Sequence, residues 1–330
     1  MSYLTEARRV YDEFNKTNFK NLFGSFSKDY DKVLASIQDR FGFEQLRRSY
    51  NEDIKTTIVE NLPFFKDDIQ NFLQLQEVTY YQKNIPLRTL SLLMWIWEKD
   101  LDVSESKLKK FVDSLFLGTF GYKMIDFSLD NTKSFAEISL VGFYSIKLAE
   151  QLLAEAFGYN NTNEALSKYF SMYLETELLE KKNRWKDCPF SWNEAQLLGH
   201  KGAPIYAVHE ALFNYAGFTP IKTKQLIESL IYVSAAIQLI DDLADAKVDL
   251  SNGYETLVMK NFYTTFGLTS EITDDKINFI LNQERLKLIY KTGQELFDKA
   301  RKLLENHDEY IIQLSLEMWN FNFTTIFKLK

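Results

Sequence analysis

The chain has 330 residues, 45 % of them hydrophobic and 26 % charged, the balance of a soluble globular protein with a sizeable core. A formal net charge of −7 argues against nucleic acid, and a lone cysteine, Cys188, excludes a disulfide framework or a cysteine-rich zinc site. Three histidines, His200, His209 and His307, are too few for a histidine-based metal centre, while twelve Gly and five Pro favour long helices over turn-rich β structure.

Helical periodicity recurs from end to end and alternating strand patterns are scarce, so an all-α fold is predicted. The N-terminus MSYLTEARRVYDEF mixes charged and apolar residues and has no signal-peptide core. Residues 4–22 and 29–49 read as amphipathic helices, with shorter helices to about Gln82. A break is expected at Asn84-Ile85-Pro86, before the apolar helix LRTLSLLMWIW. Ser104 starts a helix through LKKFVDSLFLGTFGYKMIDFSLD, and another covers FAEISLVGFYSIKLAEQLLAEAF, with Gly158 and the two asparagines after it as its stop. After a helix over 163–183, Ser191 and Glu194 match a capping box. Thr219-Pro220 is a second restart, with Thr as N-cap and Pro at the first helical position. A helix of about thirty residues is expected from there to Asp249, closed by Ser251-Asn252-Gly253. Residues 276–328 read as two more helices. No linker, repeat or low-complexity segment interrupts the chain, so residues 1–330 read as a single all-α domain. No stretch approaches the roughly 18–20 uninterrupted apolar residues of a membrane span, and cytoplasmic location is the default expectation.

Two acidic clusters stand out. In QLIDDLADAKVDL, helical spacing stacks Asp241, Asp245 and Asp249 on one side, with Gln238 above them and Asp242 beside them. Such a column is unfavourable unless it is solvated or screened by a cation. On the residues alone it is either an ordinary acidic helix end or a site for a hard divalent ion, which prefers oxygen ligands. Upstream, YKMIDFSLDN offers Asp126 and Asp130, again four apart and again closing an apolar helix. That pair reads equally as a simple helix end. Facing helices of a bundle commonly build ligand sites.

With both clusters in view, the chain resembles a class I isoprenoid synthase, and most nearly the trans-prenyl diphosphate synthases of the polyprenyl synthetase family. AAIQLIDDLAD resembles that family's second aspartate-rich motif, and GYETL its following segment, with Tyr254 where lysine is usual. DFSLDN occupies the place of the first motif, and AEQLLAEAF resembles the segment after it. HKGAPIYAV resembles the segment that nominates Lys201 for the diphosphate. The similarity spans roughly residues 80–260. It implies a single large helical bundle, several Mg²⁺ ions bound with an allylic prenyl diphosphate, and a homodimer by default. Asp126, Asp130, Asp241 and Asp245 are the implied metal ligands, with Asp242 beside them. Arg88, Lys201 and Gln238 are the implied substrate contacts.

The departures bear on the reaction. Phe127 replaces the second Asp of the first motif, and Phe135 and Ala136 fall where an arginine pair is usual. NIPLRT keeps only Arg88 of three basic residues. In the family these cations grip isopentenyl diphosphate, and losing several charge-assisted contacts weakens binding severely. The expectation is therefore a terpene synthase that ionises one allylic diphosphate and rearranges, cyclises or quenches the carbocation. A prenyltransferase condensing two substrates and a non-catalytic partner subunit are the alternatives. Aromatic faces would steady the cation at ~0.5–2 kcal/mol per good contact. Phe116, Phe120, Tyr122, Phe127 and Tyr206 are candidates, and the size of the first three hints at a shorter substrate. Each residue also has a plainer reading. Lys201 could be a surface lysine, Arg88 an ion-pair partner, Gln238 a satisfied core amide, and the aromatics simple core. His200 and His209 read as structural, and Cys188 is given no role.

Overall fold

A computed structural model describes residues 2–16, 43–63, 76–130, 136–183 and 187–328. The end of the helix expected over 4–22, most of that expected over 29–49, and Phe135 lie outside the described residues, as does the side chain of Asp130. Among the described residues every regular element is a helix, and the chain divides into two compact units at Ala156 and Phe157.

The first unit contains α1 (Tyr3–Lys16), α2 (Phe43–Asn61), α3 (Gln76–Glu98), α4 (Glu105–Asp130) and α5 (Ala136–Phe157). Tyr3, Ala7 and Val10 form the buried stripe of α1, and Leu46, Tyr50, Ile54 and Ile58 that of α2. Both follow the three-to-four-residue period of an amphipathic helix. The ring of Phe116, from α4, sits 4.2 Å from that of Tyr50 and 6.0 Å from that of Tyr3. The expected break before Pro86 is absent, because α3 runs straight through it. A proline in a helix removes one backbone hydrogen bond. Here Pro86 is buried and its carbonyl accepts from the Tyr3 hydroxyl at 2.6 Å, so tertiary packing overrides the local signal. Helices α4 and α5 meet at Gly121 and Gly142, where a Cβ on Gly121 would lie 2.6 Å from the Gly142 carbonyl oxygen.

The second unit opens with α6 (Tyr159–Lys182), then a 3₁₀ segment (Trp192–Gly202), α7 (Ala203–Tyr215), α8 (Pro220–Ala244) and α9 (Ala246–Ser251). It closes with the short α10 (Phe262–Phe266) and α11 (Asp274–Ile280), then α12 (Gln283–Leu304) and α13 (Tyr310–Lys328). Gly158, at φ +92°, does end α5, but the asparagines after it already belong to α6, which starts four residues earlier than expected. Thr219 caps α8 as predicted, accepting from the backbone N–H of Lys222 at 3.3 Å. The capping box at Ser191 does not form. Its hydroxyl donates to the Glu194 carboxylate at 2.7 Å instead of capping the backbone, and the element it opens is 3₁₀. Three helices, not two, fill the C-terminal stretch, since Asn282 caps α12 after α11 has ended.

Candidate functional site

Helix α8 packs against the 3₁₀ segment on one flank and α12 on another. Its core-facing stripe runs through Ala235, Leu239, Asp242 and Leu243, so Asp242 is an aspartate placed on an apolar face. The expected single helix to Asp249 is interrupted. Helix α8 ends at Ala244, Asp245 adopts φ −96° and ψ 5°, and α9 begins at Ala246. The four-residue spacing nonetheless survives the interruption, since the Asp245 N–H donates to the Asp241 carbonyl and the Asp249 N–H to the Asp245 carbonyl, each at 2.9 Å. Asp241 and Asp245 are exposed, Asp249 is half-buried and Asp242 is buried. Gly253, at φ +83°, follows the end of α9 as the stop signal foretold.

Asp242 has two kinds of company. Gln238, one turn earlier, donates to its Oδ1 at 2.9 Å. Lys201 comes from the 3₁₀ segment, whose backbone lies close to α8. A Cβ on Gly199 would sit 2.1 Å from the carbonyl oxygen of Ile231, a spacing that only glycine tolerates. The Lys201 ammonium pairs with Glu180 of α6, Nζ to Oε2 at 2.5 Å. Burial opposes its charge, but the carboxylates of Glu180, Asp242 and Glu177 outweigh that and hold its pKa well above the ordinary lysine value. Asp242 is pushed up to about 7, first by burial and then by Glu180 and Asp241, against the opposing pull of Lys201 and Gln238. Asp249 is pushed up to about 8 by burial and by Asp242, again against Lys201. Glu177, Glu180, Asp242 and Asp249 therefore share one electrostatic environment centred on Lys201. Close by, Lys181 stands over the ring of Tyr254 at 4.2 Å, and the Tyr254 N–H donates to the Asp249 carbonyl at 2.8 Å.

The other predicted residues are placed as follows. Asp126, in the last turns of α4, pairs with Lys123 on the same helix at 2.9 Å. Arg88 is exposed on α3. Phe116 and Phe120 are core residues of the first unit, and Phe127 is half-buried. Burial and the Glu150 carboxylate raise the Tyr122 phenol. Tyr206 is fully buried, its hydroxyl donating to the Gly199 carbonyl at 2.5 Å and its ring edge-on to Tyr169. Tyr206 thus braces the 3₁₀ segment that carries Lys201. His209 is held down at about 4 by burial while its ring bonds the Ile205 carbonyl, and burial lowers His200 too. Burial also lifts the Cys188 thiol to about 12, so it is not a thiolate at neutral pH.

Glu177, Glu180 and Lys181 are the residues that the sequence reading missed. In ETELLEKK they look like the solvated side of an amphipathic helix. Only the long-range pairing with Lys201 marks them out.

The aspartates of this helix end offer carboxylate oxygens, the donor class a hard divalent cation prefers, and Asp242 and Asp249 carry a charge penalty that a nearby cation would relieve. Among the described residues no three Asp, Glu, His or Cys side chains are already drawn together as a ligand set.

No family model matches the sequence, and no curated protein does either. Solved structures do. A decaprenyl diphosphate synthase from Rhodobacter capsulatus superposes with a TM-score of 0.58 at 14 % identity, over 84 % of this chain and 98 % of that one. The apo form of an Arabidopsis medium/long-chain length prenyl pyrophosphate synthase gives 0.56 at 15 % identity, over 83 % and 99 %. The fold is thus all-α, as expected, and of the kind these two structures share. Within that class, the chain is similar in fold to prenyl diphosphate synthases. No described helix is long and apolar enough to cross a membrane.

Proposed function

We propose that this chain is a Mg²⁺-dependent isoprenoid synthase that binds and ionises an allylic prenyl diphosphate. The observation that carries the reading is Lys201, an ammonium paired with Glu180 and within the electrostatic reach of Asp242, in the unit whose helix end carries DDLAD. Strongly perturbed charged groups gathered in one place are a functional-site signature. Lys201 donates to diphosphate oxygens, and Gln238 fixes the Asp242 carboxylate. Asp241 and Asp245 are oxygen donors proposed to hold Mg²⁺ in the second unit, with Asp242 beside them, and Asp126 and Asp130 are the proposed metal ligands of the first. Magnesium, when bound, neutralises charge on the departing diphosphate. Arg88 is proposed as a further diphosphate contact, and Phe120, Tyr122 and Phe127 as faces for the carbocation. The whole chain acts as one catalytic domain, in the cytoplasm, as a homodimer.

The missing basic residues favour a terpene synthase, which uses one substrate. Two structural neighbours, named as a decaprenyl diphosphate synthase and a prenyl pyrophosphate synthase, favour the second reading, condensation with isopentenyl diphosphate. One experiment separates them. The protein is incubated with geranyl, farnesyl or geranylgeranyl diphosphate and Mg²⁺, with and without isopentenyl diphosphate. Pyrophosphate release with a hydrocarbon or alcohol product, unchanged by isopentenyl diphosphate, supports the first reading. Longer prenyl diphosphates support the second. Release from no substrate in either arm rejects both and leaves the partner-subunit alternative.

A further inference from the structure

Lys201 has a flexible four-carbon stem and sits near the end of a 3₁₀ segment, where backbone hydrogen bonds are poorer than in an α-helix. Such a side chain loses considerable rotamer freedom when an anion fixes it, unless something fixes it beforehand. Glu180 provides that restraint. It projects from the last turns of α6, a long helix packed against the 3₁₀ segment, and reaches the ammonium at 2.5 Å. Only 14 % of the Glu180 side chain and 21 % of the Lys201 side chain remain exposed, so the pair is sheltered from the screening that weakens surface ion pairs. An ammonium has three donors, and an ion pair with one carboxylate oxygen cannot occupy them all.

We propose that Glu180 is a positioning residue: it holds the Lys201 ammonium in place, with donors to spare, so that a diphosphate meets an oriented cation. The assignment rests on the diphosphate-binding reading above and adds a residue from a different helix to it. Glu180 does not touch substrate in this account. It acts through Lys201, as a preorganising neighbour acts through the group that does. The competing arrangement is sequestration, in which Glu180 occupies Lys201 and must be displaced. The two predict opposite signs when the carboxylate is removed.

The test measures binding of pyrophosphate in excess Mg²⁺ by calorimetry for the full chain, for E180Q, E180D and K201M, and for the E180Q/K201M double variant. Steady-state pyrophosphate release is followed in parallel. Positioning predicts about tenfold weaker binding in E180Q, expressed mainly in KM, with no further loss when E180Q is added to K201M. E180D, which draws the charge back by one methylene, falls between at about threefold weaker. It carries the test if E180Q does not fold, and wild-type affinity in E180D then overturns the assignment. Unchanged or tighter binding in E180Q overturns it too, and so does an equal further loss on the K201M background, which marks a structural role. In those cases the wild type still binds, and the diphosphate reading stands. A wild type that binds no magnesium pyrophosphate removes that reading and this inference together.

Discussion

At the end of α4, Asp126 is answered by Lys123 one turn earlier on the same helix, with a third of the aspartate side chain exposed. At the end of α8, Asp242 is buried on the core stripe, and the cation that answers it, Lys201, arrives from another element already paired with Glu180 from a third. The first arrangement is local and would form in almost any helix with that spacing. The second exists only in the folded chain and places like charges together in a poorly solvated setting. The same residue type at two helix ends thus has two physical meanings, which substitutions can pull apart.

The largest effect is expected for Lys201→Met. Removing the ammonium leaves Glu177, Glu180 and Asp242 facing one another. Breaking a fully buried pair costs about 3–5 kcal/mol. Because a fifth of the Lys201 side chain remains accessible, the lower figure of about 2–3 kcal/mol is expected. That lowers Tm by roughly 3–5 °C in calorimetry. Lys123→Met at the other helix end, measured alongside, should change Tm by less than half as much. Equal losses would erase the distinction between the two ends.

Next in size is the pH dependence of the metal-free protein. Asp242 and Asp249 are pushed up to about 7 and about 8 in the fold, from the ordinary aspartate value of about 3.9. The folded chain therefore binds more protons than the unfolded chain between about pH 4 and 8. Stability from these two groups is fullest at the acid end of that window and is lost as pH rises through it. Tm measured with a chelator should fall from pH 5 to pH 8, and Mg²⁺ with pyrophosphate should restore it. Asp242→Asn should flatten the slope and raise the metal-free Tm at pH 8 by roughly 2–6 °C, while sharply reducing pyrophosphate release. A lower Tm at pH 8 in that variant would show that the Asp242 charge is compensated without a metal.

What was legible in the sequence follows the same division. Thr219-Pro220 specified a helix start correctly because a cap and a proline act within one turn, and Gly253 marked a stop for the same reason. The DDLAD stretch declared a cluster but not where its helix ends, since nothing in the pattern signals the interruption at Asp245. Pro86 failed as a breaker because a tyrosine far away in the chain accommodates it. Glu177 and Glu180 were invisible for a related reason. An acidic residue on an amphipathic helix looks solvated until a partner distant in sequence is brought to it. Local signals could be read, whereas pairings made by the fold could not.

The smallest effect on stability separates the two helix ends most cleanly. Asp126→Asn removes one partner of an i,i+3 ion pair that solvent partly reaches, and such pairs are worth roughly 0–1 kcal/mol. The expected Tm change is therefore within about 2 °C. If Asp126 takes part in holding Mg²⁺, pyrophosphate release should nonetheless fall at least about tenfold, each factor of ten being about 1.4 kcal/mol of transition-state stabilisation. Thermal stabilisation by Mg²⁺ and pyrophosphate should shrink with it. A variant that keeps both its Tm and its turnover would make Asp126 an ordinary polar helix end, leaving the Lys201 cluster to carry the reaction without it. Loss of turnover at constant Tm would instead show that the weakly held aspartate is kept for chemistry, since its local ion pair adds so little to the fold.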